Sequence, residues 1–399
     1  MASTQSTRRF AVLGGLGALV VLAILFAGEK PRAAAALRVP TDPAEVLETL
    51  VSGNDPRAKQ AAELRQAVAA NPKDLGAALA LAKANIGLSR SHADPRYLGQ
   101  AQAVLAPWWV EDAPAPVLVL RATIEQSLHD FDSALRHLDA ALKQQPNNAQ
   151  AWVTKAVIQT VRAQYDDARE SCAEVAALAG ELTFAVCDTQ IDSLNGKAQE
   201  AYARLSKLLD LARSPEEKEW AVSSMGEYAA RFGDVKTAEE DLIDALNMDP
   251  NDAYARGVYA DLLLDVGRNQ DVIKLLEGME SDDAMLLRLT IAEHRMRGPK
   301  LEEHREILAN RFEASHARGD VVHRREEARF RLELERDPEG ALKLAQANWQ
   351  VQKEPWDVRV FLAAATMAHD KKAAAPIVAH VEATHLQEPV VESMIAGLK

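Results

Sequence analysis

The sequence predicts an all-α solenoid of stacked helix pairs, and three observations carry that expectation. Trp152, Ala156, Ala168 and Cys172 follow Leu118, Ala122, Ala134 and Leu138 at an interval of 34 residues, and the same pattern returns at Val222, Gly226, Ala238 and Leu242. Aromatic residues make up only 5% of the chain, as suits helices that cross closely. No alternating strand pattern or hairpin turn interrupts the helical periodicity. A single helix pair cannot bury its apolar face alone, so a repeat of this length implies a stack in which each pair is the core of the next.

Each clear unit reads as helix, short turn, helix. From Phe131 to Leu142 apolar residues recur at spacings of three and four, giving one buried stripe and one charged face. Pro146 closes that helix, because its ring and missing N–H cannot continue it. Gly233 and Asp234 mark the next inter-helix turn, and Pro250 closes the helix after it. Small residues stand where two helices cross, since a larger side chain would hold them apart.

At these residues the chain resembles the tetratricopeptide repeat family, in which a bulky and then a small residue in the first helix are answered by alanines in the second. Residues 115–148 and 219–252 carry the pattern in full, and 149–182 carry it in the first helix, with Val175 and Gly180 departing from it later. Weaker units are read at 72–107, 183–216 and 253–283. Past residue 284 helices are expected at Leu301–Arg318, Val321–Asp337, Gly340–Val351 and Trp356–His369, as degenerate repeats or a capping layer. The resemblance implies a right-handed superhelix. The chain then divides into three segments: 1–37, a signal anchor or signal peptide; 41–283, the repeats; and 284–399, the divergent helices.

Phe10 to Ala27 form an apolar run of 18 residues after Arg8 and Arg9, at the lower limit for a bilayer span and long for a signal core. Charge before the run favours export of the rest of the chain into a bacterial periplasm, with the inner membrane engaged through residues 10–27 if they are uncleaved; Lys30, Arg32 and Arg38 weaken that argument. Residues 1–37 carry +3 of a net −13, leaving −16 on the body, which disfavours nucleic acid and anionic membrane as partners. The stretch 295–336 holds 11 Lys/Arg against 9 Asp/Glu and reads as solvated helix faces.

The two cysteines, Cys172 and Cys187, fall on neighbouring helices of the repeat register, so in an exported protein they are expected to form a disulfide; two buried thiols are the alternative. Their spacing excludes CxxC redox and zinc motifs. No hydrolase elbow, HExxH, phosphate loop or Ca²⁺ loop is present, so neither a catalytic residue nor a cofactor is assigned. His129 with His137, and His380 with His385, read as surface or capping histidines rather than a metal site. Trp108 and Trp109 read as a packing plug.

What remains is a surface. The resemblance implies a concave groove lined by first helices that holds a protein or peptide partner, and carries that role onto Val119, Thr123 and Gln126, then Gln150, Val153, Val157 and Thr160, then Ser223, Glu227, Tyr254 and Asp261. The clamp with which some relatives grip acidic chain termini is absent. The expected function is a non-catalytic binding or assembly platform in the periplasm. Alternatives are a factor that holds apocytochromes during haem attachment, an enzyme or enzyme subunit active in residues 284–399, and a scaffold tethered facing the cytoplasm.

Overall fold

The computed structural model describes residues 56–92 and 94–398. They form twenty α-helices and no strand. The first half comprises α1 (Pro56–Ala70), α2 (Leu75–His92), α3 (Arg96–Leu105), α4 (Ala115–Ser127), α5 (Phe131–Gln144), α6 (Ala149–Val161), α7 (Tyr165–Ala179), α8 (Glu181–Leu194), α9 (Ala198–Ser206) and α10 (Pro215–Arg231). The second comprises α11 (Val235–Met248), α12 (Ala253–Asp265), α13 (Asn269–Leu276), α14 (Asp283–Met296), α15 (Leu301–Arg318), α16 (Arg324–Phe330), α17 (Pro338–Trp349), α18 (Pro355–Met367), α19 (Lys371–Thr384) and α20 (Pro389–Leu398). The apolar run 10–27 and the rest of the N-terminal segment lie outside the described residues. Among the described residues no helix is long and apolar enough to cross a membrane.

The sequence sets the helix ends. Asp130, Asn148, Asp234, Asp252, Asp337 and Asp370 each place a side-chain oxygen on a free backbone N–H in the first turn of the adjoining helix. The small residues of the repeat sit at the crossings: Ala122, Ala134, Ala168 and Ala238 have no exposed surface, and Ala156 has almost none. A Cβ on Gly226 would stand 2.7 Å from Leu242 Cγ, so α10 and α11 approach closely only because that carbon is missing.

Every even-numbered helix from α2 to α20 packs on the next even-numbered one, whereas consecutive odd-numbered helices meet little. The row whose members approach each other more closely is the inside of the curve. The even-numbered helices therefore line the concave face, and the row passes residue 284 without a break. Residues 284–398 are thus further helix pairs. The helix expected over Val321–Asp337 is shorter, because the chain widens into a π-type turn at Arg331–Glu335 and Arg336 then takes a left-handed backbone (φ 56°).

The curve is tight enough to bring distant repeats together. α12 touches α2, and Arg57 on α1 pairs with Asp249 at 3.0 Å. The amide of Lys353 donates to the carbonyl of Val161 at 2.8 Å, and Arg359 on α18 meets Asp265 on α12 at 2.6 Å.

Cys172 on α7 and Cys187 on α8 are joined by a disulfide, with Cα atoms 5.7 Å apart. Such a link across 15 positions stabilises by about 3 kcal/mol, mainly through the unfolded chain. Protein isolated from its source cells without reductant is expected to show no free thiol when denatured. Two labelled thiols in that measurement would place the chain in a reducing compartment.

Trp108 packs against the cluster built by α4 and α5, and Trp109 packs against α2, α3 and α4, its ring covered by the Arg121 guanidinium at 4.6 Å. Both tryptophans thus fill the joint between repeats.

Candidate binding cavity

The inner row encloses a solvent-accessible cavity of about 810 Å³, walled by α10, α12, α14, α15 and the N-terminal ends of α16, α18 and α20. Its apolar lining comes from Ala230, Val258, Leu262, Met285, Phe312 and Val390. Tyr254 projects into this space with 55% of its surface accessible, and its hydroxyl donates to Glu227 at 2.7 Å. Gly257, one turn along α12, leaves backbone beside Met285 and Arg288, where a Cβ would make ordinary contact with Met285 Cε at 3.4 Å.

The polar part of the wall is a chain of ion pairs between helices far apart in sequence. Asp261 takes Arg288 at 2.6 Å and Arg329 at 2.7 Å. Burial pushes its carboxyl up, but the two guanidiniums outweigh burial and hold it below the usual carboxylate range. Arg359 bridges Asp265 and Glu388, Arg325 bridges Glu326 and Glu354, Arg231 holds Glu227, and Arg311 holds Asp283 at 2.7 Å. Asp282 spends its carboxylate on the backbone N–H groups of Ala284 and Met285. The Trp356 ring carries the guanidiniums of Arg329 and Arg359, each 4.3 Å from its centre. His129, also in the wall, stacks on Phe131, and burial and then the Arg325 charge lower its pKa, which keeps it neutral near pH 7.

The expected groove residues divide. Glu227, Tyr254 and Asp261 meet in the cavity. Val119, Thr123 and Ser223 do not belong to an open strip: all three are buried. Val119 lies in a cluster against which Val351 packs, because the superhelix folds its later repeats back onto the earlier ones. The hydroxyls of Thr123, Thr160 and Ser223 donate to carbonyls of their own helices, at Val119, Ala156 and Trp220, and so have no hydrogen left to donate to a ligand. Gln126, Val153, Val157 and Thr160 are half-buried and Gln150 is exposed, with its amide donating to Thr154. None of those five lines the cavity.

The stretch 295–336 differs from the solvated faces expected of it. Arg329 and Glu327 are buried, as is His304, whose Nδ1 lies 2.8 Å from Glu293 on α14. Burial is tolerated because each charge meets its partner on a neighbouring helix. The wall residues Arg288, Arg325, Trp356, Arg359 and Glu388 escaped sequence reading; their one signal was arginine and tryptophan placed in helices whose repeat signature had faded. His137, by contrast, pairs with Glu125 at 2.6 Å, away from His129.

At the other end of α10, Glu219 faces Asp252. Burial, then the hydrogen bond and charge of Asp252, push the Glu219 carboxyl up to about 8. The folded state therefore holds a proton there that the unfolded chain releases near 4.5. The associated stability is fully present below that value and is lost as pH rises to about 8. Thermal unfolding should show a lower Tm at pH 9 than at pH 5, and Glu219→Gln should shrink that difference; an unaltered difference would assign it to other groups.

Residues 127–181 match the family model described as tetratricopeptide repeat. Among curated proteins the sequence has no significant match. Solved structures with a similar backbone include yeast Tom70, at 12% identity, covering 86% of this chain and 84% of that one with a TM-score of 0.42. Another is the human IFIT1 dimer with m7Gppp-AAAA, at 11% identity, covering 81% and 84% with a TM-score of 0.41.

Proposed function

We propose that this chain, whose residues 127–181 match the tetratricopeptide repeat model, acts as a non-catalytic platform that holds a segment of a partner protein in the cavity of its inner helix row. The observation that carries this reading is the cavity itself, open to solvent and lined by apolar side chains from consecutive inner helices. Its carboxylates are engaged by arginines or, for Asp282, by a helix N-terminus, and burial pushes that of Glu388 up to about 7. We place the platform in the bacterial periplasm, anchored or released at residues 10–27. The Cys172–Cys187 disulfide supports an oxidising compartment, and the apolar run behind Arg8 and Arg9 supports export.

The test is site-specific photo-crosslinking in envelopes of the source cell. A photoreactive residue at position 258 should capture a partner, and Ala253→Trp, which fills the cavity mouth on α12, should abolish that capture while helicity and Tm hold. Capture from position 153 but not from 258 would return the binding surface to α4 and α6.

A further inference from the structure

We propose that the cavity selects an uncharged, apolar segment of its partner and discriminates against acidic and basic ones alike. The proposal rests on the cavity being the binding site and adds the chemistry of its occupant.

The wall is rich in charge that is paired within it, although Glu388 Oε2 and the Nε atoms of Arg288 and Arg359 are buried without a hydrogen-bond partner. Every carboxylate that lines the cavity is already taken by a guanidinium or by helix N–H groups. The guanidiniums are matched in turn, including Arg318, which holds Asp320. A charged occupant would lose its hydration and find no free counter-charge, or would have to break a pair and leave its other half unmatched in the wall. An apolar occupant faces neither cost. It removes from water the accessible Tyr254 ring and the half-buried Val258. The volume of about 810 Å³ has the size of a cleft that buries one or a few side chains of a ligand. Compensated charge thus works as a filter that gives an ion little foothold.

The experiment uses the full chain in lipid nanodiscs, with empty nanodiscs correcting for partition of the probes into lipid. The probes are fluorescently labelled eight-residue peptides with both ends blocked, carrying one phenylalanine and two leucines among serines and glycines. Sister peptides replace two serines by glutamate or by lysine, or leave the carboxyl end free, and binding is read as anisotropy. The uncharged peptide is expected to bind at least tenfold more tightly than each sister. Ala253→Trp should abolish its binding. Val258→Glu, which adds an unmatched carboxylate, should turn the preference toward the lysine peptide at unchanged helicity. A charged sister that binds as tightly as the neutral peptide overturns the inference and leaves the cavity as the site. Failure of every peptide to bind, while position 258 still crosslinks to the partner, also overturns it. If Ala253→Trp leaves neutral-peptide binding intact and position 258 captures nothing, the cavity reading itself falls.

Discussion

Replacing Asp261 by alanine is expected to cost about 3–5 kcal/mol, the range for stranding charges inside a protein. Asp261 is 3% exposed and is the acceptor for two guanidiniums, those of Arg288 on α14 and Arg329 on α16. Arg329 keeps Glu333 as a second partner, but Arg288 would be left with only the carbonyl of Ala284. Because three consecutive inner helices meet at this carboxylate, its loss should loosen the cavity wall as well as lower stability. Chemical denaturation of the variant reads the first effect. The second should appear as altered fluorescence of Trp356, whose ring carries the Arg329 guanidinium. A loss of less than 1 kcal/mol would mean that solvent enters the wall and screens the pairs.

Ala238→Leu and Ala134→Leu are the second pair of large effects. Each alanine is fully buried at the crossing of its two helices. Three added carbons have no space there, and overpacking costs about 1–3 kcal/mol. The displaced helix then disturbs the next repeat, because in a stacked array each pair is its neighbour's core. The same logic marks Gly226, where one added carbon would strike Leu242. Unchanged thermal unfolding of both leucine variants would mean that these crossings yield more easily than their packing implies.

The repeat register was legible because it is written in steric terms that a short window contains. Ala122, Ala134, Ala156 and Ala168 are small for a local reason, and the local reason is also the fold. Beyond residue 284 the helices remained visible as apolar stripes, but buried ion pairs between distant helices join their apolar contacts. To their apolar packing α14 and α15 add Glu293 with His304, and α16 meets α12 through Arg329 and Asp261. No short window contains such a pairing.

The groove was legible in outline and misplaced in part, for a related reason. Reading successive first helices as an open concave strip takes account of neighbours and not of the pitch of the superhelix. The pitch decides that Val351 covers the cluster around Val119, and that Asp265 meets Arg359 from 94 positions away. Tyr254 and Asp261 were found because they lie on an inner helix by register. Trp356 and Arg359 lie on an inner helix too, but the register had faded before it reached them.

Contacts between successive turns also change how such a chain should come apart. An open helical array melts from its ends, since each repeat depends only on those beside it and the outermost has one neighbour fewer. Here Arg57 is tied to Asp249, Val161 to Lys353 and Asp265 to Arg359. The first described helix and the region around α18 are therefore braced against helices far away in sequence, and opening either must break those bonds. Unfolding should be correspondingly cooperative and folding slow for an all-helical protein, because loops of 94 to 192 positions have to close before those bonds form. The molecule has the local grammar of a modular array and the failure mode of a single domain.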